Sequence, residues 1–83
     1  MTRAISVKAY DNKSILVTLD DGRILLHEMS DIENKSGPVI QSLKNDEEFK
    51  KVFISNGIVT WPSGYDIDPE YLIESSQLVS NVG

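Results

Sequence analysis

Between Trp61 and Leu72 the chain reads Trp-Pro-Ser-Gly-Tyr-Asp-Ile-Asp-Pro-Glu-Tyr-Leu, which sets two turn devices and a helix start directly behind a strand. Pro62 and Gly64 bend the backbone, and Asp68-Pro69-Glu70 has the order of an N-cap, a first helical residue of fixed φ and an acid in the first turn. Trp61 is the large apolar anchor of this stretch and is expected in the core. These residues shape a fold and carry no reactive chemistry.

Upstream, Ile5, Val7 and Ala9 alternate with Ser6 and Lys8, the period of two that suits a half-buried strand, and Asp11-Asn12-Lys13-Ser14 reads as a turn. Ile15–Asp20 and Arg23–Glu28 flank Asp21-Gly22, a dipeptide suited to a two-residue type I′ hairpin. In that register Leu19 opposes Ile24 and Val17 opposes Leu26. Ile15, Val17, Leu19, Ile24 and Leu26 then face the core, and Thr18, Asp20, Arg23 and His27 face away. A second hairpin is expected at Asn56-Gly57, with Ile54 opposite Val59 and Val52 opposite Trp61.

Between the hairpins, Met29 to Gly37 is polar and long enough for one short turn. Gly37-Pro38 opens a brief helix through Leu43, and Asn45 with Glu48 three residues on forms a capping-box pattern for a second, with Phe49 and Val52 fastening it to the sheet. A last helix begins after Asp68 and runs to Ser75 or Ser76, with Tyr71, Leu72 and Ile73 pointing inward. Residues 1–83 are thus expected to form a single α+β domain, with a mostly antiparallel five-stranded sheet in the order β-β-β-α-β-β-α and short helices covering one face. The residues from about 77 onward have no period and are expected to fray.

With 83 residues and no cysteine, the chain has neither a disulfide framework nor a thiolate metal site to support a small core. Residues 1–8 lack the apolar run of a signal peptide, and no stretch approaches the roughly 20 apolar residues of a membrane span. A cytoplasmic protein without a membrane partner is expected. The net charge of −5 disfavours phosphate backbones. All eight basic residues lie at or before Lys51, against nine acids there, whereas Asp66, Asp68, Glu70 and Glu74 follow with no base. That split reads first as a solvated acidic face beside capped helix starts and, as the sharper alternative, as a face able to steer a basic partner.

Catalytic groups are scarce. His27 is the sole histidine, there is no thiol and there is no nucleophile elbow, so no catalytic residue is assigned and the chain reads as a non-enzyme. Asp66-x-Asp68-x-Glu70 resembles the start of a calcium loop, but Tyr71 stands where that loop needs glycine and Gln77 where it needs glutamate. No metal and no cofactor is expected. Trp61, Tyr65 and Tyr71 lack the neighbouring Lys and Arg of a nucleic-acid stacking platform, so no nucleic acid is expected either.

The hairpin around Asp21-Gly22, Leu43 followed by Phe49, and the string W-P-x-G-x-D-x-x-P-E-x-L at residues 61–72 together resemble a small bacterial family called domain of unknown function 2442. The resemblance covers nearly the whole chain, with Ser63 where the family more often has Asn. It implies a compact α+β fold, a prokaryotic cytoplasmic setting and a gene beside that of another small protein, as in toxin and antitoxin pairs. It brings no catalytic residues.

The function expected from all this is a non-enzymatic protein–protein interaction module, one member of a two-protein, toxin–antitoxin-like system with a basic partner encoded next door. Tyr65, Asp66, Glu70 and Glu74 are its candidate interaction surface, a homo-oligomer remains open, and a partner is expected to dock on a sheet edge or on the adjoining acidic C-terminal face. The alternative is a small-molecule or peptide-binding domain with a pocket between sheet and helices.

Overall fold

The structure, a computed structural model, describes residues 2–80. Three strands come first, β1 (Ala4–Tyr10), β2 (Ser14–Leu19) and β3 (Ile24–Glu28), then a 3-10 helix (Ser30–Asn34) and two short helices, α1 (Pro38–Leu43) and α2 (Asp46–Phe49). Strands β4 (Phe53–Ser55), β5 (Ile58–Thr60) and β6 (Asp66–Ile67) lead into α3 (Pro69–Ser75) and a last strand, β7 (Gln77–Ser80). The result is a small α+β domain with antiparallel sheets.

The strands form two sheets rather than the single five-stranded one expected: β1-β2-β3-β7 and β4-β5-β6. Helix α3 returns the chain to the open side of β3, where β7 adds an antiparallel strand, and the Trp61–Tyr65 loop folds β6 back onto β5. Gln77 to Ser80, expected to fray, therefore pair with β3; Asn81 to Gly83, the rest of that stretch, lie outside the described residues. The smaller sheet meets the larger where the Ala4 N–H donates to the Gly57 carbonyl at 2.8 Å.

One loop geometry recurs three times. At Leu19–Arg23, the Leu19 N–H donates to the Arg23 carbonyl (2.8 Å), the Gly22 N–H donates to the Leu19 carbonyl (3.1 Å), and Gly22 has φ +93°. At Trp61–Tyr65 the corresponding bonds are 2.8 and 2.9 Å, and Gly64 has φ +102°. Between Tyr10 and Ser14 the third loop residue is Lys13, with φ +62° and its N–H on the Tyr10 carbonyl at 3.2 Å. All three are three-residue loops closed by a left-handed residue. Only Asn56-Gly57, with φ of +51° and +80°, is the two-residue turn expected from sequence, and there Ile54 does oppose Val59.

The extra loop residue at Asp20-Asp21-Gly22 corrects the first hairpin. Val17 pairs with Leu25 and Ile15 with His27, a slip of one residue that turns every β3 side chain over. Leu25 and His27 are therefore buried with Ile15, Val17 and Leu19, while Ile24 and Leu26 stand on the other face at intermediate exposure. Asp21 secures the loop by accepting from the Arg23 backbone N–H (3.1 Å) and pairing with its guanidinium (2.7 Å).

The helix starts are those the sequence marks. Asn45 Oδ1 accepts from the Glu48 N–H (3.1 Å) and Asp68 Oδ1 from the Glu70 N–H (2.8 Å), each satisfying a donor that the helix itself cannot. Leu43, Phe49, Trp61, Ile67 and Leu72 close over the sheet residues in one core. Trp61 is 1% exposed, its Nε1–H donates to the Phe49 carbonyl (2.8 Å), and its ring lies 5.6 Å from Phe49 and 5.7 Å from Tyr65. Lys13 pays for its left-handed backbone through an ion pair with Asp46 and a position 5.7 Å over the Phe49 ring.

Candidate functional site

The inversion of β3 places the sole histidine at the most chemically mixed point of the molecule. His27 is 7% exposed, its Nδ1 is hydrogen-bonded to Ser76 Oγ at 2.9 Å, and Tyr71 meets the imidazole edge to face with centroids 6.0 Å apart. Beside it lies a cavity of about 150 Å³ lined chiefly by polar groups, among them Glu28, Asp31, Lys35, Tyr65 and Tyr71. The end of β3, the 3-10 helix, the loop before β6 and α3 each contribute one wall. Lys35 Nζ is 3.3 Å from Asp31 Oδ2, and this contact holds the Lys35 pKa above its ordinary value.

A second cleft, about 140 Å³, lies where Arg3, the Asn56-Gly57 turn and the start of α3 meet, and Glu70 is on its rim. Of the candidate surface residues, Tyr65 lines the first cavity and Glu70 the second. Asp66 is exposed at the start of β6 opposite Thr60, and Glu74 is exposed one turn beyond Glu70 on the same side of α3. Glu70 also stands near enough to Arg23 to help raise the guanidinium pKa, behind the hydrogen-bonded Asp21. Arg3, just before β1, and Arg23, just before β3, thus return to the acidic C-terminal segment, and the charge split along the sequence is softened in space.

Tyr71 corrects a further expectation: it is 56% exposed and faces the His27 cavity instead of the core, which Leu72 occupies. Histidine 27, Asp31, Lys35 and Tyr71 were not among the expected site residues. His27 left no signal in the sequence that decides its side of the sheet, because Asp21-Gly22 suits a two-residue turn as well as the three-residue loop that sets the β3 register. Among the described residues no group of three or more His, Asp or Glu side chains is placed to hold a metal ion. No helix among the described residues is long and apolar enough to cross a membrane.

A family model described as "Protein of unknown function (DUF2442)" matches residues 4–77. The chain belongs to that family. Comparison with curated proteins and with solved structures finds no match in either. The matched region runs from the first residue of β1 to the first residue of β7, so in this family member it contains every residue that lines the His27 cavity.

Burial pushes the His27 pKa below its ordinary value, and the Asp31 carboxylate only partly opposes that. The folded protein therefore binds fewer protons at this site than the unfolded chain does, and stability falls as pH drops below about 6.5 and on through the folded-state value. Tyr71 and Ser76 are the uncharged groups against the ring. Urea midpoints at pH 7.5 and 5.5 should show this loss, and His27→Gln should flatten it. An imidazole proton signal titrating at or above the ordinary histidine value would refute the assignment.

Proposed function

We propose that this protein is a non-enzymatic interaction module that takes an extended, basic segment of a partner protein onto the outer edge of β7 at Leu78 and Val79. The observation that carries this reading is the edge itself. Among the described residues β7 pairs on one side only, with β3, and exposes Leu78 (51%) and Val79 (55%). Gln77-Leu78-Val79-Ser80 contains no charged residue and no proline, the usual devices that keep an edge strand from pairing. A strand added there gains main-chain hydrogen bonds, and the exposed side chains supply selectivity.

The net charge of −5 opposes pairing between two copies and favours a basic partner. Glu74 at the end of α3, next to β7 in the chain, adds to that field. A cytoplasmic two-protein system of the toxin–antitoxin kind fits this mode, and the product of the adjacent gene is the partner to test. Val79→Lys should weaken its binding by about tenfold or more, since a charged edge resists strand addition, while circular dichroism and the thermal midpoint stay unchanged. Undiminished binding by Val79→Lys would rule out the β7 edge. Self-association of the parent protein in sedimentation, abolished by the same variant, would replace the basic partner with a second copy.

A further inference from the structure

We propose that the cavity beside His27 is a binding site for an organic cation, an alkylammonium or guanidinium group, and that Lys35 is a tethered occupant which such a ligand displaces. The chemistry of the walls points that way. Glu28 and Asp31 supply two carboxylates against the single ammonium of Lys35, a formal balance of −2 + 1 = −1 with His27 neutral. Without Lys35 the balance is −2. An anion entering the cavity would meet both carboxylates, whereas a cation would meet them together with two tyrosine rings.

The rings are held in place before any ligand arrives. Tyr65 is braced 5.7 Å from Trp61, and Tyr71 packs against His27, itself tied to Ser76. Burial keeps the imidazole uncharged at neutral pH, so it does not repel a cation. Both tyrosines line the same cavity as Asp31 and Lys35.

Lys35 differs from Lys13, a lysine set beside both an acid and an aromatic ring. The Lys13 side chain is 11% exposed, inside the fold, and its ammonium has both Asp46 and the Phe49 ring as partners. The Lys35 side chain is 53% exposed, its partner Asp31 is 66% exposed, and the pair spans a 3-10 helix from its first turn to its C-cap. An exposed pair of this kind contributes little stability and exchanges easily. Lys13 is built into the structure, whereas Lys35 occupies a site that another cation can take.

The test is a titration followed by amide chemical shifts, with N-acetyl-arginine amide as a protein-borne guanidinium, agmatine as a free amine, and inorganic phosphate as the opposite charge. Both cations should move the amides of Glu28, Asp31, Lys35, Tyr65 and Tyr71, and the tighter of the two identifies the source of the natural ligand. Lys35→Met should tighten binding and Asp31→Asn should weaken it, by about tenfold for loss of a charged hydrogen-bond partner, with thermal midpoints unchanged because both side chains are exposed. The proposal is overturned if phosphate moves these amides in place of the cations, if nothing moves them, or if Lys35→Met weakens binding. Cation shifts confined to Leu78, Val79 and Ser80 would also overturn it, while leaving the β7 edge as the docking site; loss of the β7 reading, conversely, leaves the cavity untouched.

Discussion

Trp61→Ala is expected to lower the unfolding free energy by about 3–5 kcal/mol, the range for removing a large, fully enclosed aromatic side chain. The indole fills the space between α2 and the loop that carries Tyr65, with both the Phe49 and Tyr65 rings against it. Its Nε1–H also satisfies the Phe49 carbonyl near the end of α2, so truncation opens a void and strips a buried acceptor of its donor. A chain of 83 residues has about 4–12 kcal/mol to lose, so the variant should be close to unfolded at 37 °C. Urea denaturation followed by far-ultraviolet circular dichroism measures this directly. Trp61→Phe separates the two contributions, because it keeps an aromatic ring while removing the hydrogen bond. A Trp61→Ala protein as stable as the parent would mean that the indole is not the centre of the core.

Trp61, the Asn56-Gly57 hairpin, the caps at Asn45 and Asp68 and the short helix after Pro38 were legible in the sequence because each depends on local chemistry alone. The β3 register was not. Ile24-Leu25-Leu26 is apolar on both faces, so periodicity cannot choose between Leu25 and Leu26 as the core residue, and a Gly after Asp serves a two-residue turn as well as the last place in a three-residue loop. Once the loop is assigned one residue too short, His27 is sent to the wrong side of the sheet and its cavity disappears from view.

The two missed strands have a different cause. Strand β6 is two residues long and β7 four, too short for any alternation to register, and both exist because a neighbouring strand offers an open edge. Of the expected surface, Tyr65 does reach a cavity. Its companions there, Asp31 and Lys35 of the 3-10 helix and Tyr71 of α3, are brought to it only by tertiary structure.

The second large effect is expected at Gly57, where two independent constraints coincide. Its φ of +80° strains any residue with a Cβ, and a Cβ placed there would lie 2.8 Å from Arg3 Cβ and 2.9 Å from Arg3 Nε. Strain of this kind costs about 1–3 kcal/mol, and an overpacked contact adds about 1–3 kcal/mol more. Val is the severest choice because its branched side chain suits the left-handed region least.

Gly64 provides the comparison, since its φ is +102° but an added Cβ would meet nothing within 4 Å. Gly64→Ala should therefore report backbone strain alone, and Gly57→Ala strain plus the collision with Arg3. The nearest atom is the Arg3 Cβ, which the fold holds close because the Gly57 carbonyl accepts from the Ala4 N–H and the Arg3 carbonyl accepts from the Asp20 N–H, both at 2.8 Å. Arg3→Gly removes that Cβ and should recover the excess cost of Gly57→Ala in a double-mutant cycle built on urea unfolding. Equal losses at the two glycines, with no coupling between residues 3 and 57, would show that Arg3 yields freely and that the contact joining the two sheets at this turn is not a rigid one.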